Sequence, residues 1–322
     1  MLTLAALEDA ATVVYNHMAP TPLYHWPLLD QHTGCQVMVK HENHAPTGSF
    51  KARSALVFME AMRRIHPAGS SFITATRGNH GLSLAWAAQL FGFQMALVMP
   101  QGVSPEKVAM AQAHGAFVIE HGMRFEDAQA HAHALAAEGR HAPVPAFHTD
   151  LVRGCGTYAL ELFRAGPAPD AIFVPIGLGN GLCGVLAARA VFRAPTRVIG
   201  VVSDRAPVYA RTLMGQAMPA EPGLPTFAEG LNVTVPDAEA LATIRAGVDH
   251  LVEVSDDEVA EAIRLLFRTT HNVAEGAGAA ALAGLRKEQD EWAGKRVAVI
   301  LCGQNIERRA MRDILAGRTP TA

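Results

Sequence analysis

Ala171-Ile172-Phe173-Val174-Pro175-Ile176-Gly177-Leu178-Gly179-Asn180-Gly181-Leu182-Cys183-Gly184 decides the fold class. The stretch opens as a continuous apolar run, the pattern of a strand buried on both faces of a parallel sheet. It turns through closely spaced glycines and continues as helix over 185–191. Glycines in such a turn let backbone N–H groups close around a phosphate at the helix N-terminus. Gly177, Leu178, Gly179, Asn180 and Gly181 are therefore candidate phosphate-binding residues. A dinucleotide reading also stands at this point, because Gly179-x-Gly181-x-x-Gly184 fits G-x-G-x-x-G and Asp204 ends the next apolar run.

Working outward, short apolar runs alternate with helix-like segments in both directions. Strands are expected at 35–40, 72–75, 95–99, 117–120, 171–175, 197–202, 251–254 and 297–302, with helices between them. That alternation predicts an α/β fold built on parallel sheet. Ser104-Pro105-Glu106 reads as an N-cap with proline at the first helical position, opening a helix that should stop near Gly115. Ser255-Asp256-Asp257-Glu258 has capping-box spacing before an apolar-periodic run through Ile263, Leu266 and Phe267. The segment 217–225 is rich in Pro, Gly and Ala and reads as an exposed loop.

The 322 residues are 50% apolar with a net charge of −3, enough chain for a large core and two subdomains. No Lys/Arg cluster offers the surface that nucleic-acid binding needs. No apolar stretch reaches the ~18 residues of a membrane span. The N-terminus lacks a basic n-region and turns acidic at Glu8-Asp9, unlike a signal peptide. Cys35, Cys155, Cys183 and Cys302 have no C-x-x-C spacing, so neither a disulfide framework nor a zinc site is expected. A reducing cytoplasm is the expected location.

A second segment carries a reactive group. Lys40-His41-Glu42-Asn43-His44-Ala45-Pro46-Thr47-Gly48-Ser49-Phe50-Lys51-Ala52-Arg53 follows a strand, turns through Pro46 and Gly48, and enters a helix at about Ser49. Lys51 then lies in a first helical turn. The positive end of the helix dipole and any desolvation there favour the neutral, nucleophilic amine. Taken alone, the segment also reads as a capped helix whose lysine faces solvent.

Thr21-Pro22-Leu23, Lys40-x-Glu42-Asn43 and Thr47-Gly48-Ser49-Phe50-Lys51-x-Arg53 together resemble the fold-type II pyridoxal-phosphate (PLP) enzymes, in particular the serine/threonine dehydratases or threonine ammonia-lyases. Further motifs follow in the family's order, so the likeness runs from about residue 20 to about residue 306. The resemblance implies a tryptophan synthase β-like architecture: two parallel-sheet subdomains with PLP in the cleft between them. A small subdomain is expected at 46–145, inserted into a larger PLP-binding one at 1–45 and 146–322, with no regulatory domain and no control by isoleucine. It implies Lys51 as the Schiff-base lysine and the base at Cα, with Phe50 beside it, and 177–181 as the phosphate loop. The dinucleotide reading leaves these motifs unexplained.

Thr74-Ala75-Thr76-Arg77-Gly78-Asn79-His80-Gly81 lies between an expected strand and helix. A turn that opens a helix exposes N–H groups able to hold a carboxylate, although Asn and Gly here also suit an ordinary turn. In the resembled family this loop binds the substrate carboxylate, which makes Ser49, Thr76, Arg77, Gly78, Asn79 and His80 candidate substrate contacts and places Asn79 at the cofactor's 3′-oxygen. Serine racemases carry a serine acid/base at the position of Arg77. A guanidinium is always protonated and cannot take a proton from Cα, so racemisation by that route is disfavoured. Arg77 either clamps a second anionic group of the substrate or makes a surface salt bridge.

Val297-Ala298-Val299-Ile300-Leu301-Cys302-Gly303-Gln304-Asn305 is a buried-strand pattern ending in a polar turn. The resemblance implies that Cys302 meets the pyridine nitrogen of PLP; a neutral thiol there favours elimination over transamination. By itself Cys302 also reads as a small core residue. Gly154-Cys155-Gly156-Thr157 resembles a G-x-G-T turn before a helix, and Glu275, in Ala274-Glu275-Gly276-Ala277-Gly278, is implied near the ring while also fitting a plain helix-start carboxylate. Metal-activated relatives carry carboxylates where this chain has Val202 and Val208, so no metal is expected, and the fifteen histidines look scattered.

The reading is a PLP-dependent elimination from L-threonine, L-serine or a related 3-hydroxy amino acid, giving a 2-oxo acid and ammonia. The resemblance implies that the cofactor phosphate protonates the leaving group. A dehydratase for an acidic or bulky 3-hydroxy amino acid, a β-replacement transferase and a silent PLP-binding protein stand as alternatives. A homodimer is expected by analogy, with a small amino acid as partner and neither nucleic acid nor membrane.

Overall fold

In the computed structural model, which describes residues 2–216 and 224–321, the run at 171–175 is an interior strand of a six-stranded sheet. Its strands are β1 (Leu23–His25), β2 (Gln36–His41), β7 (Ala171–Pro175), β8 (Arg197–Ser203), β9 (His250–Val254) and β10 (Arg296–Leu301). Their order is β1-β2-β10-β7-β8-β9, parallel except for the antiparallel edge pair β1–β2. A second, all-parallel sheet is formed by β3 (Ser71–Ala75), β4 (Gln94–Met99), β5 (Phe117–Glu120) and β6 (Ala142–Pro143) in the order β5-β4-β3-β6.

Every strand expected from the sequence is present, with ends displaced by at most one residue. Two were not anticipated. β1 has three residues and β6 two, too short for periodicity to register, and Pro143 in β6 is tolerated because that strand lies at a sheet edge.

Thirteen helices occur among the described residues: α1 (Leu4–Tyr15), α2 (Pro27–Thr33), α3 (Lys51–Met62), α4 (Asn79–Leu90), α5 (Pro105–Ala113), α6 (Phe125–Ala137), α7 (Thr149–Arg164), α8 (Asn180–Phe192), α9 (Val208–Leu213), α10 (Ala238–Gly247), α11 (Asp256–Thr270), α12 (Gly276–Lys287) and α13 (Arg308–Leu315). Their starts follow the capping chemistry. Ser104 Oγ accepts from Glu106 N at 3.2 Å, and α5 stops at Ala113, just before Gly115 with φ +78°. Ser255 and Glu258 exchange hydrogen bonds of 3.2 and 2.7 Å at the start of α11. Of the expected loop at 217–225, residues 217–223 lie outside the described residues.

One core packs Val37, Val39, Phe173, Val201 and Leu282 about the larger sheet; another packs Phe58, Phe72, Leu84 and Leu97 about the smaller. Helix α7 joins them, and here the sequence reading needs correction. Gly154-Cys155-Gly156-Thr157 is not a turn before a helix but the middle of α7. The glycines serve close approach of backbones. A Cβ on Gly154 would lie 2.5 Å from the Arg53 carbonyl oxygen in α3, and one on Gly184 in α8 would lie 2.6 Å from Gly156 N. Glycine costs about 0.5–1 kcal/mol in a helix interior, and three helices packing backbone to backbone offset it.

Candidate active site

Lys51 is the first residue of α3, two residues later than the expected helix entry. The preceding residues pin it to the end of β10: Ser49 bridges Gly303, and Phe50 N donates to the Cys302 carbonyl at 3.0 Å. The Lys51 amine keeps a strip of surface but is otherwise enclosed, and burial lowers its pKa, offset in part by the thiols of Cys155 and Cys302. Nζ stands 4.8 Å from the centroid of the Phe50 ring. The fold thus favours the neutral, nucleophilic amine.

The glycine loop leaves β7 and enters α8, whose first residue is Asn180. Gly179 has φ +98°, a conformation that favours glycine. A Cβ on Gly177 would overlap the carbonyl oxygen of Gly230, and one on Gly181 would press on the Phe50 ring at 3.3 Å. This last contact joins the loop to Lys51's neighbour. Tyr158 and Tyr209 hydroxyls donate to the carbonyls of Gly181 and Leu178, each at 3.1 Å. Asn180 gives its amide nitrogen to Ala146 O at 2.9 Å, while its Oδ1 is buried without a hydrogen bond.

The asparagine loop is built by Thr76. Its Oγ1 accepts from the backbone nitrogens of Gly78 and Gly81, both at 3.1 Å, and so shapes the turn between β3 and α4. Asn79 opens α4 and reaches the larger sheet: Nδ2 donates to Glu275 Oε1 at 2.6 Å, and Oδ1 accepts from Asn305 Nδ2 at 2.8 Å. Glu275 is the N-cap of α12, its own N donating to Gly303 O at 3.1 Å. Although Glu275 shows some surface, protein closes around its carboxyl and desolvation pushes it up to about 7. His80 is pulled down to about 3, first by burial and then by the charge of Lys51. Its Nε2 and the Oγ of Ser49 are buried and lack hydrogen-bond partners.

Cys302 follows β10 directly, its thiol donating to Ala277 O at 3.4 Å and raised in pKa by burial. Helices α3, α4, α8 and α12 therefore begin around one cleft with their positive dipole ends toward it, and α8 starts without a side-chain cap. Such a cleft suits an anion at each of two helix starts, with an amine between them.

Arg77 forms no ion pair among the described residues, so the surface salt bridge is not found. Its guanidinium lies over the ring of Phe125, 5.6 Å from the centroid. Val202 and Val208 are buried core residues. The histidines are less scattered than their positions imply: His121 stacks on His131 at 3.9 Å and His41 on His44 at 5.0 Å. Two residues near the site carried no assigned role from sequence. Asn305, in the polar turn after β10, also donates to Thr47 O at 2.8 Å. Lys107, at the start of α5, reaches across to Glu229 and Glu307 at 2.5 and 3.1 Å, and nothing in its local sequence signals this.

The sequence profile described as "Pyridoxal-phosphate dependent enzyme" matches residues 14–303. The chain belongs to this family. Among its relatives, the L-threonine ammonia-lyase of Thermotoga maritima is 32% identical over 309 residues, 95% of this chain and 76% of that protein. The L-threo-3-hydroxyaspartate ammonia-lyase of Saccharomyces cerevisiae is 28% identical over 98% of this chain and 97% of its own. The processed form of threonine deaminase isoform 2 from Solanum lycopersicum superposes with a TM-score of 0.88 at 25% identity, covering 98% and 94% of the two chains. Family membership makes PLP the cofactor and removes the dinucleotide reading of 179–184. The residues present fit PLP. The glycine loop turns tightly against Gly230, Ala240 and the Phe50 ring into the uncapped start of α8, whose N–H groups suit a phosphate, the Ser49 Oγ and His80 Nε2 are buried without partners, and Lys51 is a depressed-pKa amine.

Proposed function

We propose that the chain is a PLP-dependent ammonia-lyase that eliminates the β-hydroxyl of a small 3-hydroxy amino acid, such as L-threonine or L-serine, to give a 2-oxo acid and ammonia. The observation that carries the reading is the Lys51 amine, enclosed and biased toward its neutral form at the start of α3, next to Phe50, whose ring packs on Gly181 of the glycine loop. When bound, PLP supplies an electron sink for the charge that develops at Cα.

The chain's own residues do the rest. Lys51 and Phe50, the loop Gly177, Leu178, Gly179, Asn180 and Gly181, and Asn79, Glu275 and Cys302 would hold the cofactor. Backbone donors of Arg77, Asn79 and His80, in the turn that Thr76 and Gly78 shape, with the Ser49 hydroxyl, would orient the substrate carboxylate. Lys51, biased toward its neutral form, takes the Cα proton. The buried thiol of Cys302 offers a neutral hydrogen-bonding group that, unlike a carboxylate, would not hold a proton on its partner.

A second reading is favoured by Arg77. Its charge has no carboxylate partner among the described residues and could engage a second carboxylate, as on a hydroxyaspartate. The yeast relative, named for such a substrate, supports keeping it. A β-replacement transferase would instead require an added nucleophile.

The four-stranded sheet lies wholly within 71–143, which supports our division into a small unit at 46–145 and a larger one formed by 1–45 and 146–322. A cytoplasmic location is supported by four buried free cysteines, and no described helix is long and apolar enough to cross a membrane. The homodimer we propose rests on the prevalence of two-fold oligomers. The test is a panel of 3-hydroxy amino acids, with and without thiols, given to wild type and Lys51→Ala while 2-oxo acid and ammonia are followed. Turnover by wild type alone supports the lyase; thiol-dependent products or no turnover removes it.

A further inference from the structure

Two residues beyond Lys51, the guanidinium of Arg53 is fully buried. It grips two carboxylates in fork geometry. To Glu42 it donates from Nε at 2.7 Å and NH2 at 3.1 Å; to Glu161 it donates from NH1 at 2.6 Å and NH2 at 2.9 Å. Lys40 adds a second cation, bonding Glu161 at 2.5 Å and Thr21 O at 2.7 Å. Thr157 and Thr21 hydroxyls accept from Arg53 at 3.1 and 3.0 Å. Two cations and two anions, 0–9% exposed, thereby join β2, the 3₁₀ turn Glu42–His44, α3 and α7.

Desolvation offsets most of the attraction in such a buried cluster, so net stability is a weak explanation for it. Geometry is a better one. Helix α3 starts without a side-chain cap, since Phe50 supplies none. Its first turn is tied on one side by Phe50 N to Cys302 O, and on the other by Arg53. The face of α7 that carries Thr157 and Glu161 also carries Gly154, which admits the α3 backbone to close contact.

We infer that Arg53, acting through Glu42 and Glu161, is a positioning residue that holds the first turn of α3, and so the Lys51 amine, in register with the glycine loop and Cys302. The inference rests on Lys51 being the residue that bears PLP. Arg53→Lys keeps the charge and loses the fork, and Glu161→Gln keeps the shape and loses a charge. Three quantities are measured on both variants and on wild type: thermal melting, the pH dependence of Lys51 labelling by an amine reagent in cofactor-free protein, and the PLP dissociation constant from visible absorbance.

The expected result is a still cooperative but lowered melting transition, PLP binding weakened about tenfold or more, and a displaced midpoint of Lys51 labelling. A folded Arg53→Lys protein with wild-type labelling and PLP affinity overturns the inference. If Arg53→Lys does not fold, Glu161→Gln decides by the same readouts; if neither folds, the cluster is a stability element and the inference falls. Lys51→Ala separates the two levels: a visible band that survives it removes the role of Lys51 and this inference together, whereas an unaltered Arg53→Lys protein removes only the latter.

Discussion

Asn79 donates to the Glu275 carboxylate at 2.6 Å, and this hydrogen bond joins the helix that opens from the smaller sheet to one packed on the larger. The carboxyl sits up to about 7, against 4.5 in solution, because burial penalises its charge. A group whose folded pKa exceeds its unfolded value stabilises the fold below the unfolded pKa and loses that contribution as pH rises through the folded one. Cofactor-free wild type should therefore lose at most about 3 kcal/mol relative to Glu275→Gln between pH 4.5 and 8. Urea unfolding of both proteins across that range tests it, and the difference cancels His80, which acts in the opposite direction at lower pH. Parallel pH curves would show that Glu275 is not held neutral.

Lys51→Ala should reduce ammonia release by on the order of 10³-fold, the range expected when a positioned base is lost. Its fold should persist, because the Lys51 side chain makes no hydrogen bond or ion pair among the described residues, and the Ser54 hydroxyl bonds the backbone carbonyl that alanine keeps. Activity and far-UV circular dichroism together check both halves.

Gly154→Ala should destabilise by roughly 1–3 kcal/mol, the usual cost of overpacking. The added carbon meets backbone of α3, which cannot rotate aside as a side chain would, so the helix-propensity gain of about 1 kcal/mol loses. A denaturant midpoint equal to or above wild type would contradict the close approach of α7 to α3.

Arg77→Ala distinguishes the two substrate readings. If the guanidinium meets a second carboxylate, KM for a 3-hydroxyaspartate rises about tenfold or more while that for threonine changes little. Equal changes for both substrates would assign Arg77 to the loop's shape, through its stacking on Phe125.

Much of this was legible in sequence because the signals are local. Apolar runs of four to six residues placed the interior strands to within a residue, since their neighbours on both faces are other core residues. Lys51, Asn79 and the glycine loop each sit where a turn opens a helix, but that local pattern also fits ordinary turns and caps, and the family resemblance is what proposes their roles. What escaped depends on distant partners. Nothing near residue 107 shows that Lys107 meets Glu229 and Glu307, or that Asn305 touches Asn79. The Gly154 segment was misread for the same reason: closely spaced glycines look alike in a turn and at a helix crossing, and only the partner backbone tells them apart.

The parallel pairing of β2 with β10 places residues 36–41 against residues 296–301. A contact of that sequence separation cannot form until residues 296–301 have left the ribosome, and closing so long a loop is slow. Because β10 delivers Cys302 and Gly303 to the lysine, a nascent chain can own its glycine cradle and its amine long before the two share a pocket. The cradle and the amine therefore meet only once β10 has slotted between β2 and β7.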